Sequence, residues 1–109
     1  MRPCVRSGMA FAAILGFTLT VQAAGPSPER QRYLDDLLHE DCGACHGMTL
    51  KGGLGPALLP QRLRRYPRAF LRATILQGRP GTPMPPWRPF LSDADVDWIL
   101  DRLLGVMKP

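Results

Sequence analysis

The stretch Cys42-Gly43-Ala44-Cys45-His46 decides how this chain of 109 residues is interpreted. Two thiols two residues apart, followed at once by an imidazole, form the attachment pattern of c-type haem. Both cysteines can form thioethers with one porphyrin while His46 lies under the ring and ligates the iron. A thioredoxin-type pair would need a βαβ context and a zinc site would need further ligands, and the chain offers neither. We therefore predict one covalently bound haem c.

The first 23 residues have the pattern of a cleaved secretory signal peptide. A positively charged start precedes an apolar run over residues 9–21, and Val21-Gln22-Ala23 forms the cleavage site. The run is short for a membrane span, so an uncleaved anchor is the less favoured alternative. Cys4 leaves with the signal, and we expect a periplasmic chain of residues 24–109 that keeps two cysteines.

Three helices are predicted between loops rich in glycine and proline. The first begins with Ser27 as N-cap and Pro28 at the first helical position, and its apolar residues recur at helical spacing up to Asp41. A middle helix runs from about 67 to 78, and the last has Ser92 as cap with Asp95 at the capping-box position. No segment alternates as a strand would. The predicted fold is all-α, a single small domain of three or more helices and ordered loops around a haem that supports its core.

In this order of elements the chain resembles the small class I monohaem cytochromes c of bacteria, over residues 27–106. Two loops, CGACHGMTLKGGLGP at 42–56 and TPMPPW at 82–87, look most like those of the NirC-type periplasmic cytochromes of denitrifying bacteria. The resemblance implies the class I cytochrome c fold and a one-electron carrier rather than an enzyme. It also implies a redox partner, either the nitrite reductase that carries haems c and d1 or an enzyme of d1 haem biosynthesis. An assembly role in which the chain binds the reductase is a further alternative.

Several side chains could supply the sixth iron ligand. Met84 lies 38 residues after His46, and neighbouring prolines restrict its loop and lower the entropy cost of fixing the thioether. Met48 is too close to His46 to reach the other face of the ring, Met107 is near the chain end, and His39 is expected to face water. We therefore predict Met84 as the ligand, and its soft thioether would suit a high-potential carrier. An unligated Met84 would instead leave the iron open, as in a haem enzyme or gas sensor.

Further residues are assigned to the haem surroundings. In the resemblance, Pro56 is the proline whose carbonyl accepts the second ring N–H of the ligating histidine. The alternative is that this proline only ends the glycine-rich turn. Trp98 either packs against the first helix or lies partly exposed. Three residues are candidates for the haem wall, with core packing as the alternative for each: Leu58, Leu76 and Trp87.

Charge divides the mature chain into three parts. Residues 51–88 carry eight basic side chains and no acid, whereas residues 24–50 and 89–109 are acidic. With two ionised haem propionates the protein is a dipole of small net charge. We expect the basic segment to steer an acidic redox partner to the haem edge. A solvated arginine face that pairs with the propionates is the alternative.

Other kinds of partner are disfavoured. Nucleic-acid binding has no recognised motif in this chain, and export makes it improbable. Stable membrane insertion is not expected after the signal is removed. We expect a monomer, although exchange of the C-terminal helix between two chains is an alternative.

Overall fold

The computed structural model describes residues 25–107 and the isolated positions Gly16 and Leu19. Within these residues the chain is helical and contains no strand, which confirms the predicted all-α class. Apart from those two positions, the predicted signal peptide lies outside the described residues. No described helix has the length and hydropathy needed to cross a membrane.

The first half of the fold is one nearly continuous helical rod. The hydroxyl of Ser27 accepts a hydrogen bond from the backbone N–H of Arg30 and caps its start, as predicted. The rod continues through the CGACH stretch, which the sequence did not predict, and it ends at Gly47, where φ is +89°. Its parts are α1 (Pro28–Leu37), a π-helical segment (Leu38–Cys42) and α2 (Gly43–His46).

The second half holds one short helix and two longer ones. The short helix was not predicted, because four residues are too few to show a helical period. Both longer helices begin where the sequence predicts. Pro67 precedes the middle helix, which also ends at the predicted Gly78, where φ is +68°. Ser92 and Asp95 form the expected capping box, each side chain accepting from the backbone N–H of the other. The elements are α3 (Pro60–Leu63), α4 (Arg68–Gln77) and α5 (Asp93–Leu103).

The core is made of aliphatic side chains from all three long helices. α5 packs on both α1 and α4, so it completes the core from two directions. Leu34 of α1 and Val96 of α5 are fully buried. The other members of the core are Leu37, Leu38, Leu63, Leu71, Leu76, Leu91, Ile99, Leu100 and Leu103.

Ion pairs connect α1 to α5 at both ends of their contact. Arg30 Nη2 lies 2.9 Å from Asp95 Oδ2 and also donates to the carbonyl of Phe90 at 2.8 Å. Arg102 Nη2 lies 2.7 Å from Asp35 Oδ1. The hydrogen bond from Arg30, aided by those from Ser92, lowers the pKa of the buried Asp95 carboxyl. The charge of Asp95 is therefore compensated where it would otherwise be costly to bury.

Candidate haem site

A cleft of about 350 Å³ lies between α2, the loops on either side of α3, and the inner faces of α4 and α5. Cys42, Cys45, His46 and Met84 all line it. Most of the other lining residues are apolar. The structure thus brings the four predicted haem-linking side chains to one cavity, although Met84 is far from the others in sequence.

The orientation of His46 is fixed by a backbone carbonyl. His46 Nδ1 lies 2.7 Å from the oxygen of Pro56, the contact that the resemblance implied. A carbonyl can only accept a hydrogen bond, so in the neutral ring the shared proton is on Nδ1 and the lone pair of Nε2 is free for a metal. Gly55 packs against the ring, because a Cβ there would lie 2.9 Å from two ring atoms. The loop therefore supports the histidine with a hydrogen bond and a close van der Waals contact.

The same loop also satisfies the open carbonyls at the end of α2. Gly52 N–H donates to the carbonyl of His46 at 2.8 Å, and Gly55 N–H donates to that of Cys45 at 2.7 Å. The last turn of a helix leaves such carbonyls without internal partners. At Gly47, a Cβ would lie 2.5 Å from the oxygen of Gly52, so the chain can fold back here only through a glycine. These contacts all join residues within ten positions of each other.

The two cysteines differ in exposure. Cys45 is exposed and Cys42 is half-buried, and both are free thiols. Burial, followed by the charge of Asp41, raises the pKa of the Cys42 thiol to about 11. A thioredoxin-type redox cysteine needs the opposite shift, towards a stable thiolate. Together with the helical fold, this disfavours a dithiol redox function for the CGACH stretch.

The loop that carries Met84 is held at its base by α4. Arg79 N–H donates to the carbonyl of Met84 at 3.1 Å, and the backbone N–H of Trp87 donates to the carbonyl of Ile75 at 3.1 Å. A Cβ on Gly78 would lie 2.7 Å from the backbone carbon of Pro85. The half-buried Met84 side chain thus faces the cleft from a loop pressed tightly against the end of α4.

The predicted haem-wall residues separate into two groups. Leu58 and Trp87 line the cleft, as does Pro56. Leu76 is buried in the core, and its neighbour Ile75 lines the cleft instead, because consecutive helical residues point about 100° apart. Trp98 is partly buried, and the guanidinium of Arg102 lies 5.6 Å from its ring centroid.

Several cleft residues were missed at the sequence level. Tyr66 and Phe70 stack with ring centroids 5.5 Å apart and line the cleft, although 43% and 50% of their surfaces are exposed. Leu54 also lines it and is 81% exposed. Exposed large apolar side chains grouped around one cavity indicate a surface that an apolar ligand covers. The one available signal was the helical spacing of Phe70 and Thr74, which places both on the cleft side of α4.

The basic segment, residues 51–88, is less uniform than its sequence suggests. Arg68 Nη1 lies 2.7 Å from Asp101, Arg72 Nε donates to Asp97 at 3.0 Å, and Arg88 pairs with an aspartate at the start of α5. Arg64 donates to the carbonyl of Leu104 at 2.7 Å. The acidic C-terminal flank thus neutralises part of the basic segment. Among the described residues, four of its cations have neither an ion pair nor a side-chain hydrogen bond: Lys51, Arg62, Arg65 and Arg79.

The donor set of the cleft fits a six-coordinate haem. It offers an imidazole with a free Nε2, a thioether on a restrained loop and two thiols at thioether spacing, inside a largely apolar wall. An all-α fold built around these groups defines a c-type cytochrome.

Comparison with known proteins assigns the chain to a narrower group of c-type cytochromes. The family described as cytochrome c oxidase, cbb3-type, subunit III matches residues 30–101. Cytochrome c55X of Stutzerimonas stutzeri is 50% identical over 105 residues, which cover 95% of this chain and 92% of that protein. The solved structure titled c-type cytochrome NirC has a TM-score of 0.72 at 56% identity and covers 74% of this chain and 95% of that one. The chain belongs to this family of c-type cytochromes and, within it, to the cytochrome c55X group.

A third relative is much larger than this chain. Dihydro-haem d1 dehydrogenase of Pseudomonas aeruginosa is 39% identical over 96 residues, which cover 88% of this chain but 18% of that enzyme. That enzyme therefore contains a segment similar to most of this chain.

Proposed function

We propose that this protein is a periplasmic one-electron carrier with one haem c, attached through Cys42 and Cys45 and ligated by His46 and Met84. The observation that carries the proposal is the single cleft that all four side chains line. Bound there, the haem supplies reversible one-electron chemistry at its iron. The periplasmic location rests on the signal-peptide pattern of residues 1–23.

The residues around the cleft have separate tasks in this function. The hydrogen bond from His46 to Pro56 orients the imidazole and increases its basicity as a ligand. The thioether of Met84 favours the reduced iron, and the contacts of its loop with α4 keep the sulfur at the cleft. Leu58 and Trp87 exclude water from the wall. A ligated Met84 also closes the iron to exogenous molecules, which separates a carrier from a haem enzyme or gas sensor.

We propose two classes of redox partner. One is the nitrite reductase of denitrification, and the other is an enzyme of d1 haem biosynthesis. The similarity of this chain to part of a dihydro-haem d1 dehydrogenase supports the second class. An assembly role would require a stable complex that forms equally well in both oxidation states. Stopped-flow reduction and oxidation by each purified partner, beside a binding measurement in each oxidation state, separates these roles.

Substitution of Met84 tests the ligand assignment and with it the carrier function. We expect the mature wild-type protein to be low-spin, with an iron–sulfur charge-transfer band in the near infrared that disappears in Met84→Ala. Met48→Ala is the matched control, because Met48 is 65% exposed and does not line the cleft. A high-spin wild type, or a band that persists in Met84→Ala, would contradict the carrier proposal and favour an enzyme or sensor.

A further inference from the structure

The arginines of the basic segment differ in what they contact. Arg64, Arg68, Arg72 and Arg88 all bond to α5 or to the residues just after it. By contrast, Arg62 and Arg79 have no side-chain partner among residues 25–107, yet both line the cleft. The two unpaired arginines at the cleft are therefore the feature that the fold itself leaves unexplained.

These two arginines reach the cleft from different elements. Arg62 lies on α3, a single helical turn that follows the loop of residues 47–59. Arg79 lies at the base of the methionine loop, residues 78–88. Its carbonyl accepts hydrogen bonds from the backbone N–H and the hydroxyl of Thr82, at 3.0 and 2.6 Å. Its backbone is thus held in a turn while its guanidinium remains available. The cleft accordingly has one unpaired cation on each of two separate walls.

When a ligand fills the cleft, it displaces water from these two cations, and each cation then needs a counter-charge. A guanidinium beside an apolar group loses part of its hydration, which is unfavourable unless an anion pairs with it. Among the described residues, Asp41 is the one carboxylate that lines the cleft, and it forms no ion pair with either arginine. The other titratable side chains there are Cys42, Cys45, His46 and Tyr66. The protein therefore leaves the counter-charges to the ligand.

We propose that Arg62 and Arg79 bind the two haem propionates and so fasten the cofactor to both α3 and the methionine loop. The inference rests on the proposed function, since it needs a haem in the cleft. A guanidinium is suited to this task because its N–H groups match both oxygens of a carboxylate. Haem binding in this way pairs two of the four basic-segment cations that have no side-chain partner among the described residues. The surface that a partner meets is then less positive than the sequence of residues 51–88 indicates.

The proposal predicts an effect on the iron that a merely exposed charge would not produce. Positive charge close to the haem favours the ferrous state, so Arg62→Gln and Arg79→Gln should each shift the ratio of ferric to ferrous protein at a fixed applied potential. We expect a shift of about fivefold towards the ferric form, since both guanidiniums line the cleft but are also exposed to solvent, which screens their charges. Tenfold would correspond to 59 mV for a one-electron couple. Arg65→Gln is the matched control: it removes the same charge from an unpaired arginine that does not line the cleft.

A second measurement needs no variant. In the diamagnetic ferrous wild type, nuclear Overhauser effects should connect the side-chain N–H protons of Arg62 and Arg79 to the propionate methylene protons. The signals of Arg65 should show none. This readout stands even where a substitution prevents haem attachment.

The outcomes distinguish this inference from the function on which it rests. The propionate assignment is supported if the ratio of ferric to ferrous protein shifts in Arg62→Gln and in Arg79→Gln but not in Arg65→Gln, and if the Overhauser contacts are present. Equal potentials in all three variants, or arginine protons without contacts to the propionates, overturn it while the carrier function stands. A wild type without a low-spin haem would remove the proposed function itself, and the visible spectrum shows this before any variant is made.

Discussion

The two sides of the cleft are built in different ways. On the histidine side, residues 42–58, the supporting hydrogen bonds join residues within ten positions of each other. On the methionine side, residues 78–88, Trp87 and Arg88 donate backbone hydrogen bonds to Ile75 and Leu76 of α4, and the Arg88 side chain pairs with Asp93 at the start of α5. The histidine side is therefore held by contacts within its own loop, whereas the methionine side depends on its packing against two helices. Damage to the packing should change the methionine side first.

Among the substitutions that test this comparison of the two sides, Gly78→Ala should have the largest effect. The new Cβ would lie 2.7 Å from the backbone of Pro85, and φ is +68° at this position. Backbone strain and overpacking together should lower the free energy of unfolding by about 3 kcal/mol. We expect the iron–sulfur band to weaken while the haem stays attached, measured by near-infrared absorption and denaturant unfolding. Gly81→Ala is the control, because it shares a positive φ but has open space around it. Equal effects of the two substitutions would show that packing against Pro85 is unimportant.

Gly55→Ala tests the histidine side and should have a smaller effect. The Cβ would lie 2.9 Å from the ring of His46, but that contact is with a side chain, and the ring can tilt slightly. We expect a loss of about 1–2 kcal/mol in unfolding free energy and a shift in the ring proton signals of His46, with the iron–sulfur band retained. Loss of that band in Gly55→Ala would mean that the two sides are coupled more strongly than their hydrogen bonds indicate.

The smallest effect concerns the pH dependence of the ion pair between Arg30 and Asp95, which connects α1 to α5. Because Arg30 lowers the pKa of Asp95 in the folded state, the pair stabilises the fold above the unfolded pKa, near 3.9, and this contribution is lost as pH falls through the folded value. Asp95→Asn should therefore be less stable than wild type at neutral pH, by about 1 kcal/mol. The difference should narrow in acid.

Thermal unfolding of both proteins across this pH range measures the effect, with Asp36→Asn as the control on an exposed carboxyl. A difference between wild type and Asp95→Asn that stays constant down to pH 3 would show that hydrogen bonding to the neutral side chain, rather than the charge, accounts for it.

The parts of the molecule that could be predicted depend on local signals, both on the histidine side and at the starts of the helices. The spacing of Cys42, Cys45 and His46 and the caps at Ser27 and Ser92 are signals within a few residues, and the structure has the helix starts where these caps place them. The helix was predicted as far as Asp41, but the π-helical geometry of Leu38–Cys42 was not, because no residue pattern distinguishes it from the α-helix before it. Its continuation through the CGACH stretch was not predicted either.

The features that depend on packing were less predictable. Whether Leu76 or Ile75 faces the cleft depends on the rotation of α4 against α5, which one helix alone does not determine. The neutralisation of Arg68 and Arg72 by α5 depends on which helices are neighbours. The exposed positive surface was therefore overestimated, and the cleft arginines were not distinguished from the others.

The hydrogen bond between His46 and Pro56 also bears on how charge moves through this protein. The proton on Nδ1 faces a backbone carbonyl, which is far too weak a base to remove it. In the proposed carrier, a change in the charge of the iron would alter the strength of this hydrogen bond, but the ring could not pass its proton to the acceptor. The proposed electron transfer would then be uncoupled from proton transfer at His46, and the acidity of the surrounding compartment would not change its driving force through this group.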